Sequence, residues 1–186
     1  MRPGRAALAL AAGLALGAPA PALAAQNVTQ RFFAERLMAD DGTSREIREL
    51  LRSRRGFVDK GVAFKDLTGD DKADATVRVQ SGGASGAVAV YVLSTDGGRR
   101  NGRLRVVFRS QQLLRAQTRI RDGVLRYRSS RPQPGDELCC PSRLSESRLR
   151  WRERRSFFQV VERREIGPSD PWGDQLAVTS HAGRRL

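Results

Sequence analysis

Apolar residues recur every three to four positions early in the chain and every second position later, so helices come first and strands follow. Val28 to Asp40 is predicted to be an amphipathic helix, with Phe33 and Leu37 four apart, Phe32 beside them and Asp40-Asp41-Gly42 as the stop. A second helix is expected from Ser44 to about Arg54, entered by a capping box of Thr43 and Glu46. Its apolar face is Ile47, Leu50 and Leu51, and Gly56 ends it. Beyond Gly56 the period drops to two. Strands are predicted at Val62 to Phe64, Ala73 to Gln80, Ala87 to Ser94, Arg103 to Arg109, Leu113 to Arg121, Val124 to Ser129, Arg148 to Arg152 and Phe157 to Glu162. Ala87 to Leu93 is apolar on both faces, which marks a central strand covered on both sides. Asp122-Gly123 is the strongest hairpin signal, because both residues tolerate positive φ. No internal repeat is present. The pattern predicts an α+β fold, one or two N-terminal helices packed on a twisted, mostly antiparallel meander. Residues 26–165 form one domain, and 166–186, with Pro168 and Pro171 and little periodicity, form a flexible tail.

The first 25 residues stand apart from this pattern. Arg2 and Arg5 precede an unbroken Ala/Leu/Gly run from Ala6 to Leu16, and Ala22-Leu23-Ala24 offers a small-x-small cleavage site. Together these read as a Sec-type signal peptide over Met1 to Ala25. The run is too short and Ala-rich for a stable membrane span. Neither a lipid-accepting cysteine nor a twin-arginine pair accompanies it. The expectation is an exported protein, secreted or held in the periplasm or cell envelope, without a transmembrane segment and monomeric.

Charge divides the remainder. The chain has a formal net charge of +14. From Gln26 to Gly98 there are 11 basic and 11 acidic residues, whereas from Arg99 to Arg164 there are 19 arginines against 6 acids. Only Lys60, Lys65 and Lys72 accompany 31 arginines, which suits a GC-rich genome, but base composition does not explain why the excess sits in one half. Within that half the arginines alternate with apolar residues. Arg103 and Arg105 alternate with Leu104, Val106 and Phe108; Arg115, Arg119 and Arg121 with Leu114, Ala116 and Ile120; Arg126 and Arg128 with Leu125 and Tyr127; Arg148, Arg150 and Arg152 with Leu149 and Trp151. If these strands are neighbours, one sheet face is apolar and the other carries about ten arginines, whose mutual repulsion an anion layer would relieve. Export makes nucleic acid an unsuitable partner. An anionic cell-envelope polymer or surface fits, and an ordinary solvated face is the alternative.

Three further features bear on chemistry. Asp66, Thr68, Asp70, Asp74 and the Lys72 carbonyl are spaced as oxygen donors for calcium, although Asp71 and Val77 depart from an EF-hand loop. The alternative is a polar turn in which the carboxylates accept backbone N–H groups. Cys139 and Cys140, the only cysteines, are adjacent, so in an oxidising compartment a vicinal disulfide is expected, with two buried free thiols, or an intermolecular bond or redox chemistry, as the alternatives. The single histidine, His181, falls in the predicted tail, which excludes most His-based catalysis. A non-enzymatic binding protein is therefore expected. A His-independent enzyme or modulator remains the alternative if Asp66, Asp70, Asp74, Asp136 and Glu137 share one pocket.

The Asp66–Ala75 stretch, the Ala-rich strand after it, Asp122-Gly123-Val124-Leu125, Cys139-Cys140-Pro141-Ser142 and Leu149-Arg150-Trp151 resemble exported actinobacterial proteins of unassigned function. In pattern they are similar to the LppP/LprE group of mycobacterial lipoproteins over roughly Phe57 to Phe158, without that group's lipobox cysteine. The resemblance implies an envelope location and brings no catalytic residues. The acidic loop alone also resembles the calcium loops of integrin-type repeats.

Overall fold

The computed structural model describes residues 27–95, 102–137 and 140–172. Helix α1 spans Val28–Ala39 and buries Phe33, Ala34 and Leu37. Its N-terminus carries the capping box: Asn27 Oδ1 accepts from the Gln30 N–H at 2.8 Å, and Gln30 Oε1 accepts from the Asn27 N–H at 3.0 Å. Helix α2 spans Arg45–Arg52, and its N-cap is Ser44, whose Oγ accepts from the Ile47 N–H. This corrects the expected Thr43–Glu46 box. Thr43 is buried and donates instead to Asp40. Past α2, Arg54 takes the left-handed conformation (φ 57°), and the Gly56 N–H donates back to Leu50 O.

Among the described residues nine strands follow: β1 Phe57–Val58, β2 Ala63–Lys65, β3 Asp74–Gln80, β4 Ala87–Ser94, β5 Arg105–Ser110, β6 Gln117–Arg121, β7 Val124–Ser130, β8 Leu144–Arg152 and β9 Phe157–Ile166. All pairings are antiparallel. The expected α+β class holds, with the strands divided between two sheets. Sheet A runs β1-β3-β4-β5, with β2 on the same edge of β3 as β1, and sheet B runs β6-β7-β8-β9. The predicted strand from Leu113 begins only at Gln117. Gln112 and Arg115 have φ of 57° and 51°, so residues 111–116 form an irregular link. That link follows β4, through Leu113 N–H to Val88 O and Ala116 N–H to Ala87 O, and then crosses to β7 by Ser130 N–H to Leu114 O. The Asp122–Gly123 hairpin forms as expected, with φ of 50° and 70° matching a primed turn.

Strand β4 is apolar on both sides because it separates two cores. Ala89, Tyr91 and Leu93 join Val77, Val79 and the helix residues Phe33, Leu37, Ile47 and Leu51. Val90 and Val92 face the other way, onto Leu125, Tyr127, Leu149 and Phe158 of sheet B. The order of layers is therefore helices, sheet A, sheet B. No helix among the described residues is long and apolar enough to cross a membrane.

Gly56 sits where α2 is drawn against β3. A Cβ there would meet the Gln80 carbonyl oxygen and lie 2.5 Å from Leu50 Cγ. Gly56→Ala is accordingly expected to cost about 1–3 kcal/mol as overpacking, read as a lower urea midpoint at unchanged slope.

Candidate functional site

The outer face of sheet B, turned away from sheet A, is built by cross-strand register. One row is Arg119–Arg126–Arg148–Glu162 and the next is Gln117–Arg128–Glu146–Arg164. Arg121, Arg150 and Arg152 extend the face along β6 and β8, where alternation places them on the same side. Arg119, Arg126, Arg128, Arg148 and Arg150 therefore share a face, as their parity predicts. The other three do not join them. Arg103 and Arg105 belong to the sheet A side of the chain, with Arg105 paired to Ser94. Arg115 lies in the irregular link and donates Nε to Ala84 O at 3.2 Å.

A second correction concerns solvation. Arg126 and Arg128 are buried, because a carboxylate sits among them and a chain segment lies over them. Glu146, 1% exposed, accepts from Arg128 Nε at 2.7 Å, from Arg164 Nη2 at 3.0 Å and from Arg126 Nη1 at 3.4 Å. Glu162 pairs with Arg148 at 3.3 Å. Residues 167–172 form the cover. A turn closed by Gly167 N–H to Asp170 Oδ2 at 2.6 Å aims two carbonyls at Arg128, whose Nη1 reaches Asp170 O at 3.0 Å and Nη2 reaches Pro171 O at 2.6 Å. The Trp172 ring lies 4.1 Å from the Arg128 guanidinium carbon, a cation–π contact. The predicted tail thus begins as an ordered strap, with Ile166 buried at its root. Residues 173–186, including His181, lie outside the described residues. What the face presents to solvent is a basic fringe of Arg119, Arg121, Arg148, Arg150 and Arg152 around a centre in which three guanidinium groups share one carboxylate.

The acidic loop between β2 and β3 is organised by its own backbone. Asp66 accepts from the Gly69 and Asp71 N–H groups at 2.7 and 3.1 Å, Asp70 from Thr68 Oγ1 and the Lys72 N–H, and Asp74 from the Leu67 and Thr68 N–H groups. The Gly69 N–H holds the Asp66 carboxyl below its usual range. Two buried oxygens, Asp70 Oδ2 and Asp74 Oδ1, accept no hydrogen bond among the described residues. No three His, Cys, Asp or Glu side chains gather as a metal-ligating group among the described residues. Asp136 is likewise a loop tie. Its Oδ2 accepts from the Gln133 and Ser142 N–H groups and from Ser142 Oγ, and the first of these lowers its pKa most. Cys140 is exposed and its N–H donates to Glu137 O. Cys139, and with it the expected pair, lies outside the described residues.

The inner face of sheet B changes character along its strands, which sequence patterning missed. The apolar residues Leu125, Leu149 and Val160 give way to the row Tyr127–Ser147–Arg163 and, one step further, Ser129–Ser145–Glu165. These polar rows and the residue 110–114 bend enclose a cavity of about 780 Å³. None of Asp66, Asp70, Asp74, Asp136 and Glu137 lines it, nor the second, 550 Å³ cavity between β5 and β9. The missed signal was parity, since Ser145, Ser147 and Ser129 occupy positions in phase with Leu149 and Leu125.

No protein-family model, curated protein or solved structure matches the chain.

Removing Glu146 takes away the carboxylate that Arg128 and Arg164 pair with and leaves Arg126 only Glu162, at 3.7 Å. Glu146→Ala is expected to cost about 3–5 kcal/mol in denaturant unfolding, as for other broken buried ion pairs. A loss below about 1 kcal/mol would show that solvent screens the cluster. Asp66 and Asp136, with folded-state pKa values held below the unfolded value of about 3.9, contribute stability that is complete above that pH. It is lost as pH falls through the lower folded-state values. The melting temperature should therefore drop as pH falls below about 4, less steeply in Asp66→Asn/Asp136→Asn.

Proposed function

We propose that this protein is exported and non-catalytic, and that it binds an anionic polymer of the cell envelope through the basic fringe of sheet B. The observation that carries this reading is the register of β6 to β9. It puts Arg119 and Arg148 in one cross-strand row, with Arg121, Arg150 and Arg152 on the same face; Glu146 and Glu162 are the carboxylates within the rows, and Asp122 at the turn lies 3.6 Å from Arg121. Glu146 is already shared by three guanidinium groups, so it offsets the central arginines and leaves the fringe cationic. Guanidinium groups on a fixed sheet present planar donors to phosphate or carboxylate at the strand spacing of about 4.8 Å.

Placement at the envelope rests on the leader at Met1 to Ala25, and the likeness to the LppP/LprE group points the same way. An enzyme built on the acidic residues is less well supported, because those residues line neither cavity described.

The test is binding of the purified protein to anionic cell-wall polymer across a salt series. Arg119→Gln/Arg148→Gln/Arg150→Gln is expected to weaken binding at least tenfold at low salt and to flatten the salt dependence by about one log unit per lost contact. Its melting temperature should stay within a few degrees of the parent's, because Arg150 is exposed, Arg119 is only half-buried and the Arg148–Glu162 pair is partly solvated. Equal affinity and equal salt slope in parent and variant would sink the proposal.

A further inference from the structure

The inner face of sheet B holds a second site, and it is independent of the fringe. In a β-sandwich the positions facing the partner sheet are filled with apolar residues that interdigitate. Here the pattern stops halfway. Val90 and Val92 of sheet A cover Leu125 and Leu149, but the next inward positions are Ser147 and Ser145 on β8 and Ser129 on β7. These three serines are 1%, 5% and 4% exposed. Their hydroxyls are not among the buried side-chain oxygens left without a partner, so they open onto the cavity that these residues line, where valine or alanine would have continued the apolar core. A local rule broken without a structural return marks a functional position more often than an accident.

The neighbouring groups agree. Beside Ser147 on β9 lies Arg163, and beside Ser145 lies Glu165; both are exposed at the mouth of the cavity, and neither forms an ion pair with a described residue. Tyr127, the remaining member of the inner row, turns its ring toward Phe108 and its hydroxyl toward Ser110 Oγ at 3.3 Å, so it closes the apolar end. At about 780 Å³ the space falls in the range of ligand sites, ~300–1,000 Å³.

We infer that this cleft binds a saccharide carrying a carboxylate. Hydroxyls that each donate and accept suit a ligand whose own hydroxyls do both. A free anion alone would call for N–H donors, and an apolar peptide side chain would call for an apolar floor. Arg163 supplies a two-pronged donor for the carboxylate, and Glu165 accepts from ring hydroxyls two residues along the same strand.

The probes are glucuronate and its oligomers, with glucose as the neutral control, followed by calorimetry and by chemical-shift changes at β7 to β9. Glucuronate is expected to bind, and glucose to bind at least tenfold more weakly. Ser147→Ala adds no bulk to the cleft and removes a hydroxyl, so it should abolish binding while leaving the melting temperature nearly unchanged. Arg163→Gln should weaken glucuronate at least tenfold and leave glucose unchanged, and Arg150→Gln, on the outer face, should alter neither. Full binding by Ser147→Ala, or no binding of any saccharide to the folded parent, overturns the inference. Equal affinity for glucuronate and glucose overturns the role given to Arg163. Polymer binding through the fringe is read with Arg150→Gln, so either proposal can fail without the other.

Discussion

Strand β4 buries Ala89, Tyr91 and Leu93 on one side and Val90 and Val92 on the other, so sheet A has no face left for solvent and must be covered twice. The helices supply one cover and sheet B the other. From this constraint the rest follows. Sheet B, as the outermost layer, needs only one apolar face, and its second face is free to carry charge. The irregular link at residues 111–116 is the means by which one chain makes both layers. It leaves the β4 edge by Ala116 and ties back to β7 at Ser130, so the two sheets are held together at one side. The cavity with the polar rows lies along that same side.

The outer face would be unstable if its arginines were merely parallel charges. Directly opposed like charges on neighbouring strands repel, as Arg119, Arg126 and Arg148 are arranged to do. Three features offset this. Glu162 ends that row, Glu146 sits in the middle of the next, and the strap of residues 167–172 brings carbonyl oxygens and the Trp172 ring onto Arg128. Desolvating Arg128 without them would be costly, because a buried charge is tolerated only when it is paired and hydrogen-bonded. The cluster therefore acts as a foundation for the fringe, and the two sets of arginines, alike in sequence pattern, do different work.

Much of this was legible beforehand. The helix positions, the two-faced strand at Ala87–Leu93, the Asp122–Gly123 turn and the shared parity of Arg119, Arg126, Arg148 and Arg150 all follow from periods of 3.6 and 2, which sterics impose on any chain. The division into two sheets was not legible, because it depends on positive φ at Gln112 and Arg115, residue types that rarely adopt it. Parity also carried more than was drawn from it. Glu146 shares the phase of Arg148, so the counter-ion was visible in the same alternation that displayed the arginines. The strap was hidden for a different reason. Its contacts run from backbone carbonyls at 170 and 171 to a side chain more than 40 residues away, and no local pattern encodes a pairing of that range.

The two faces of sheet B make opposite compromises. Outside, charge is concentrated and then partly cancelled, which leaves solvent-facing guanidinium groups on a rigid support. Inside, apolar packing is carried only as far as Leu125 and Leu149, and the remaining inward positions are given to small hydroxyls. A sheet selected for stability alone would do neither: it would thin out the arginines and extend the core to the ends of β7 and β8. Backbone hydrogen bonds through all four strands hold both departures in place, so their cost is met by the ladder and by the β4 core rather than by local compensation. That separation lets either face change its side chains without disturbing the other, because alternate residues on one strand answer to different environments.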